Sequence, residues 1–261
     1  MTDLSEYDRF IRSKVCVEKA GESPFADAVL SPRLLPHQAA AVRWALAGGR
    51  RAIFAAFGLG KTVMQLEILR AVTEREGGRG LIVCPLGVRQ EFTQDGPEIL
   101  GWSEPPKFIR SISEASATGL YLTNYETVRD GKLDPRLFDA ATLDEASILR
   151  GFGGTKTFRE FMALFAGDDR SGDRTRGVPY RFVATATPSP NDFIELLAYA
   201  AYLDVMDVSA AKTRFFKRDS TKADHLTLHP HKEREFWLWI ASWAMFLQRP
   251  SDICPCECHH A

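Results

Sequence analysis

The sequence has no long apolar run. None of its 261 residues falls in a stretch of about 18 or more consecutive apolar residues, which is the length a membrane-spanning helix needs. The first 15 residues are charged and lack the apolar centre of a secretory signal peptide. We therefore expect no membrane partner and predict a cytoplasmic protein.

Cysteine is scarce, and a strong net charge is absent. The five cysteines are an odd number, and three of them lie within the last eight residues, so they do not form a secreted disulfide framework. The formal net charge of −1 does not predict a nucleic-acid partner, and a surface that binds nucleic acid would have to be a local patch. The remaining composition, 45% hydrophobic and 26% charged, is that of an ordinary globular domain.

The C-terminal residues 253–261 combine three cysteines with two histidines. These side chains can bind zinc or copper, but the cysteines are separated by single residues. Structural zinc sites usually space their cysteines by two to four residues. We therefore favour a tail that arose by truncation or frameshift over a metal site.

Short apolar runs alternate with helical patterns from Leu34 onward. Helices are predicted at 36–47, 61–75, 157–165, 192–203 and 233–248, and strands at 52–56, 81–84, 107–112, 120–124, 140–143 and 181–185. This alternation is typical of a parallel sheet covered by helices on both faces. We predict a three-layer α/β lobe at 31–206, with a helical lead-in at 1–30, a helical extension at 207–252 and the atypical tail at 253–261.

Residues 55–62, AAFGLGKT, fit a Walker A phosphate-binding loop whose first glycine is replaced by alanine. Gly58 and Gly60 allow the backbone to turn its N–H groups toward phosphate oxygens. Lys61 supplies a mobile charge for the β- and γ-phosphates, and the Thr62 hydroxyl can bind Mg²⁺. An ordinary glycine-rich turn is disfavoured, because a strand precedes the loop and a helix follows it. We predict ATP and Mg²⁺ as cofactors, with nucleotide contacts from Phe57, Gly58, Leu59, Gly60, Lys61 and Thr62.

An acidic pair, Asp144 and Glu145, follows the apolar run 140–143. An aspartate at a strand end can hold Mg²⁺, and an adjacent glutamate can orient and deprotonate the attacking water. Most Asp-Glu pairs are solvated surface charges. The position of this pair, about eighty residues after the phosphate-binding loop, favours catalysis. We predict Lys61, Asp144 and Glu145 as catalytic residues, with Thr62 and Asp144 as ligands of Mg²⁺.

With both ATP motifs placed, residues 5–253 resemble the first RecA-like lobe of superfamily 2 helicases. The similarity is to the Swi/Snf-like branch, and within it to a phage- or prophage-type DEAD/DEAH-box group. It rests on an ordered series of segments: LLPHQ (34–38), GLGKT (58–62), LIVCPLGVR (81–89), YLTNYE (121–126), LDEAS (143–147), TATP (185–188), 190–206 and 236–252.

The resemblance implies roles for several further residues. Gln38 would pair with adenine, and Thr185 and Thr187 would link the acidic pair to the nucleic-acid site. The segments 81–89 and 121–126 would contact the nucleic-acid backbone through Pro85, Arg89 and Asn124, with Gln90 and Thr123 also chemically suitable. For these polar residues, stabilisation of the local loop is an equal alternative.

The resemblance also implies a motor. It predicts the ATP-binding lobe of an ATP-dependent DNA helicase or translocase from a bacterium or an infecting phage, with DNA favoured over RNA. Relatives continue into a second RecA-like lobe that carries motifs IV to VI and an arginine finger, and Arg150 stands where lysine is expected. We expect this partner lobe to be needed for full activity. Two alternatives stay open: a non-motor nucleotide- or DNA-binding module, including a truncated remnant, and the motor lobe of a restriction-modification complex.

Four aromatic residues near the C-terminus have helical spacing: Phe236, Trp239, Trp243 and Phe246. They could form a platform on which nucleic-acid bases stack. Aromatic residues at this spacing are more often buried, so we predict that they pack in the core.

Overall fold

The computed structural model describes residues 25–145, 161–165, 177–188, 193–218 and 226–253. Several predicted features lie outside these ranges: the lead-in before residue 25, Arg150, the first half of the helix predicted at 157–165 and the tail after residue 253. Within the described ranges, no helix is both long and apolar enough to cross a membrane.

The described residues form nine strands and seven labelled helices. The strands are β1 Arg50–Ala55, β2 Arg79–Val83, β3 Lys107–Phe108, β4 Gly119–Thr123, β5 Ala140–Asp144, β6 Tyr180–Thr185, β7 Phe216–Arg218, β8 Leu226–Leu228 and β9 Ala244–Leu247. The helices are α1 Pro36–Gly48, α2 Lys61–Glu76, α3 Gly96–Leu100, α4 Tyr125–Arg129, α5 Leu196–Tyr202, α6 Val208–Phe215 and α7 Glu233–Trp243. Residues 161–165 are also helical.

Seven of these strands form one parallel sheet in the order β3-β4-β2-β5-β6-β1-β9, while β7 and β8 form a separate antiparallel pair. Side chains alternate across the sheet, so each strand contributes to two cores. In β1, for example, Ile53 packs with α1 and α2 on one face, whereas Phe54 packs with α5, α6 and α7 on the other. The predicted three-layer α/β architecture is confirmed.

The loop between β1 and α2 depends on glycine. Gly58 and Gly60 have φ values of 82° and 80°, in the left-handed region that other residues rarely adopt. At Gly60 a Cβ atom would also lie 2.3 Å from Nε2 of Gln38. The backbone angle therefore favours glycine at residue 60, directly before α2 begins at Lys61, and a Cβ atom there would displace the Gln38 amide.

The predicted strand at 107–112 is wrong beyond its second residue. The structure ends β3 at Phe108, and Ile112–Glu114 form a 3₁₀ turn. The N–H groups of Arg110 and Ser111 both donate to the Glu114 carboxylate at 2.9 Å, so they are not available to a neighbouring strand. The predicted helix at 192–203 is also shorter, because α5 begins at Leu196 after a 3₁₀ turn at Phe193–Glu195.

The predicted helix at 233–248 is wrong at its C-terminal end. Helix α7 ends at Trp243, and residues 244–247 form β9, which pairs with β1. This part of the predicted extension therefore belongs to the central sheet. Phe236, Trp239 and Trp243 are buried, which confirms core packing, but Phe246 lies on β9 and is 40% exposed.

Candidate nucleotide-binding site

A cavity of about 490 Å³ opens at the edge of the sheet where the parallel strands end. Cavities of this size hold small-molecule ligands. It is lined by the loop after β1, the segment after β2 and the end of β5. The lining residues are Phe57, Gly58, Gly60, Lys61, Thr62, Val88, Glu91, Asp144 and Glu145. The structure thus brings the predicted Lys61, Thr62, Asp144 and Glu145 together.

The loop after β1 presents a continuous run of backbone donors. In the described part of the chain, the N–H groups of residues 57–62 have no hydrogen-bond acceptor. On either side of this run, Ala56 N donates to Leu247 O at 2.8 Å, and the first hydrogen bond into α2 is from Met64 N to Gly60 O at 3.0 Å. Successive unpaired N–H groups at the start of a helix favour an anion such as phosphate.

The Lys61 ammonium is folded back against its own loop. Its Nζ donates to Ala55 O at 3.2 Å and to Ala56 O at 3.4 Å, and it lies 5.0 Å from the centre of the exposed Phe57 ring. These acceptors are neutral carbonyls, and no carboxylate of the described residues forms an ion pair with Lys61. Phosphate oxygens would be stronger acceptors for this charge than the carbonyls.

Asp144 is a buried carboxylate, and its surroundings raise its pKa to about 6. Burial is the largest cause, and the hydrogen bond that Gln65 Nε2 donates to Oδ1 at 2.8 Å opposes it. Glu145 and Glu91 raise the pKa further, whereas Lys61 lowers it. A cation bound in the cavity would favour the ionised form of this carboxylate.

Glu145 is held between β5 and β6. Its N–H donates to Ala184 O at 3.1 Å, and its Oε2 accepts a hydrogen bond from the Thr185 hydroxyl at 3.3 Å. The same hydroxyl accepts from Thr187 N at 3.2 Å. Thr187 follows β6 rather than lying on it, and this hydrogen bond comes from its backbone N–H group. Thr185 is buried, and Thr187 is exposed.

Glu91, which was not predicted from the sequence, also lines the cavity. Its carboxylate accepts a hydrogen bond from the Thr62 hydroxyl at 3.0 Å. The one available signal was its position just after the segment LIVCPLGVR at 81–89. With Thr62, Asp144 and Glu145 it gives a set of oxygen donors, which suits Mg²⁺. Across the described residues, no three His, Cys, Asp or Glu side chains gather into a ready-made metal site. Mg²⁺ is commonly held by one or two carboxylates together with substrate phosphates, which is the arrangement these residues permit.

Comparison with known proteins gives the fold. No protein-family model and no curated protein matches this chain. Solved structures do match, and two of them are from Sulfolobus solfataricus. The SWI2/SNF2 ATPase core in complex with dsDNA matches with a TM-score of 0.60 and 20% identity over 84% of this chain. The SWI2/SNF2 ATPase core domain matches with a TM-score of 0.56 and 19% identity over 88%. The chain has the RecA-like fold of part of a SWI2/SNF2 ATPase core. It spans about 45% of the length of each of those structures.

In this SWI2/SNF2-like fold, Gln38 lies beside the loop between β1 and α2 rather than in the cavity lining. Its Oε1 accepts from Leu35 N at 3.0 Å, and its Nε2 donates to Leu59 O at 3.3 Å. His37 Nε2 lies 3.2 Å from the same Leu59 oxygen. In the structure, the Gln38 side chain therefore stabilises this loop by hydrogen bonding. Its contact with adenine stays a prediction. The Leu59 side chain is buried, so the predicted nucleotide contact of Leu59 would have to come from its backbone N–H group.

Two of the residues suggested for nucleic-acid contact have structural roles in this lobe. Thr123 is fully buried, and its hydroxyl donates to Ile109 O at 2.9 Å, so the suggestion of a nucleic-acid contact is wrong for Thr123. Asn124 caps α4, because its side-chain oxygen accepts from Thr127 N at 3.2 Å. Pro85 begins the 3₁₀ turn after β2 and is half-buried.

Arg89 is exposed on the loop after β2. Its guanidinium lies 4.5 Å from the centre of the Phe108 ring, and the guanidinium of Arg110 lies 5.7 Å from the same centre. Arg110 was not predicted from the sequence. Among the described residues, neither guanidinium has an ion-pair partner. Two like charges held at one ring form a local basic patch on a chain with almost no net charge.

Proposed function

We propose that this chain is the ATP-binding lobe of an ATP-dependent DNA helicase or translocase of the phage- or prophage-type superfamily 2 group. One observation carries the proposal: a single cavity places the unpaired N–H groups of residues 57–62 and Lys61 opposite the carboxylates of Asp144 and Glu145. Donors for phosphate beside an acidic pair are the parts that phosphoryl transfer to water requires.

The residues divide the work of ATP hydrolysis. The N–H groups of the loop and Lys61 would bind the β- and γ-phosphates, while Thr62 and Asp144 would hold Mg²⁺, which would neutralise phosphate charge. Glu145, oriented by Thr185, accepts a proton from water as the water oxygen attacks the γ-phosphorus. The bond from that phosphorus to the bridging oxygen breaks, and ADP and phosphate leave.

Two exposed arginines, Arg89 and Arg110, support nucleic-acid binding at the edge of the sheet where the parallel strands end. Arg89 follows the end of β2 and Arg110 follows the end of β3, and these strands are parallel members of one sheet. Free guanidinium groups bind the phosphates of a nucleic-acid backbone, irrespective of base sequence. The structural neighbour in complex with dsDNA favours DNA as the partner. A second RecA-like lobe would close over the ATP and supply the arginine that this cavity lacks among its described lining residues.

Titration with a fluorescent ATP analogue in the presence of Mg²⁺ tests the nucleotide site. We expect the wild-type chain to bind and Lys61→Ala to bind about 10- to 100-fold more weakly, because one or two charge-assisted hydrogen bonds to phosphate are lost. Lys132→Ala is the matched control, since Lys132 is exposed and does not line the cavity. Thermal melts should show that all three proteins are folded. Undiminished affinity in folded Lys61→Ala would remove the phosphate-binding assignment.

A further inference from the structure

Gln65 joins two residues of β5 inside the protein. The Thr142 hydroxyl donates to Gln65 Oε1 at 2.7 Å, and Gln65 Nε2 donates to Asp144 Oδ1 at 2.8 Å. Gln65 is 1% exposed, Thr142 is 0% exposed and Asp144 is 5% exposed. Gln65 lies on α2 one turn after Lys61, so this chain of hydrogen bonds connects the helix of the phosphate-binding loop to the acidic pair.

The chemistry of these groups fixes the orientation of the Gln65 amide. An ionised carboxylate is an acceptor only, so the NH₂ group must face Asp144. The amide oxygen then faces Thr142, whose hydroxyl has a single proton to donate. A reversed amide would place two acceptors against each other in a buried site, which is unfavourable by about 1–3 kcal/mol. One arrangement therefore satisfies all three residues.

This arrangement leaves the two oxygens of Asp144 in different states. Oδ1 is held by Gln65, whereas Oδ2 accepts no hydrogen bond from any of the described residues. A neutral amide donor also keeps the full negative charge on Asp144, which a lysine or arginine at residue 65 would offset. The carboxylate is thus oriented by one oxygen and keeps the other for an external ligand.

We infer that Gln65, itself oriented by Thr142, is a positioning residue for Asp144 and determines how strongly Mg²⁺ supports ATP binding. The inference rests on the proposed function. Removing a side chain that orients a metal ligand typically lowers metal affinity about 10- to 100-fold. A purely structural role would lower stability without a selective effect on Mg²⁺.

The experiment measures the affinity for the fluorescent ATP analogue in Mg²⁺ and in EDTA, and takes the ratio of the two dissociation constants. Gln65→Met keeps the approximate length of the side chain but forms no hydrogen bond. We expect it to lower the Mg²⁺ enhancement about tenfold, while affinity in EDTA changes less than about twofold. Gln94→Met is the matched control, because Gln94 is exposed and does not line the cavity.

A second pair of variants tests the step through Thr142. Thr142→Ser keeps the hydroxyl and should retain most of the wild-type enhancement. Thr142→Val is nearly isosteric but lacks the hydroxyl, so the Mg²⁺ enhancement should fall about threefold or more. If Gln65→Met does not fold, the comparison of Thr142→Ser with Thr142→Val decides the question. Wild-type enhancement in folded Gln65→Met or in Thr142→Val overturns the inference and leaves the proposed function intact. Absence of ATP binding by the wild-type chain overturns both.

Discussion

The Thr62 hydroxyl donates a hydrogen bond to Glu91 Oε2 at 3.0 Å, which joins the start of α2 to the segment that follows β2. A hydroxyl that donates its proton in this way keeps its lone pairs for a metal ion. Glu91 also lies two residues after Arg89, so the bond connects the proposed Mg²⁺ ligand to the loop proposed to contact DNA. Glu91 adds a third carboxylate, beside Asp144 and Glu145, to a cavity that we propose binds a polyanion.

Glu91→Gln should therefore strengthen ATP binding when no Mg²⁺ is present. The substitution removes one negative charge near the phosphates, which is worth about 1 kcal/mol, or roughly fivefold in affinity. The Gln amide oxygen can still accept the hydrogen bond from the Thr62 hydroxyl. The measurement is titration of the ATP analogue in EDTA, with Glu98→Gln as control, because Glu98 is exposed on α3 and does not line the cavity. Equal affinity of Glu91→Gln and wild type would contradict this electrostatic role.

Glu145→Gln should bind ATP as the wild type does but suppress turnover about 10²- to 10⁴-fold, because an amide cannot accept the proton of the attacking water. Steady-state phosphate release with DNA present measures the effect, in this chain and in a version extended by a second lobe. Glu126→Gln, an exposed residue on α4, is the control. Wild-type turnover by Glu145→Gln would remove Glu145 from the catalytic role.

Arg89→Ala and Arg110→Ala should each weaken DNA binding to a similar extent for unrelated sequences. Each should also reduce the slope of log affinity against log salt by about 1, because one phosphate contact is lost. Fluorescence anisotropy between 50 and 200 mM salt, for two duplexes of different sequence, checks both points. Arg129→Ala is the control, since Arg129 is already paired with Asp130. Loss of affinity for one sequence alone would point to base contacts instead.

Glu235 should contribute to the free energy of unfolding at neutral pH and lose this contribution in acid. Burial raises the pKa of this carboxyl, but hydrogen bonds from Lys232 at 2.8 Å and Arg214 at 2.6 Å lower it more, so the pKa is below its ordinary value of 4.5. A lowered pKa in the folded state stabilises the protein above pH 4.5, and this contribution is lost as the pH falls further.

Glu235→Gln should accordingly lower the free energy of unfolding by about 1–3 kcal/mol at pH 7, since two charge-assisted hydrogen bonds are weakened. Below pH 4.5 the difference between the variant and the wild type should shrink. Urea unfolding at pH 7 and at intervals from pH 5 to pH 3 measures it. A difference that stays constant across this range would mean that Glu235 does not titrate with folding.

The sequence carries the local parts of this site but not the parts that depend on distant segments. The loop before Lys61 and the acidic pair at the end of β5 were predictable, because glycine spacing and strand ends are local patterns. Gln65 and Glu91 were not, because each acts through a residue far away in the chain: Gln65 lies 79 positions before Asp144. Strand β9 was hidden for another reason. The aromatic spacing of α7 continues into it, and its pairing with β1 shows only in three dimensions.

Glu145 has a φ of 45°, one of two positive values among the described residues other than glycine. Such a conformation costs about 1–2 kcal/mol for a residue with a Cβ atom, and glycine would relieve it. A library of variants selected only for heat tolerance should therefore drift toward glycine or asparagine at this position. The same library selected for ATP turnover should return to glutamate. The most heat-stable sequence and the most active sequence of this lobe would therefore differ at residue 145, because of its positive φ angle.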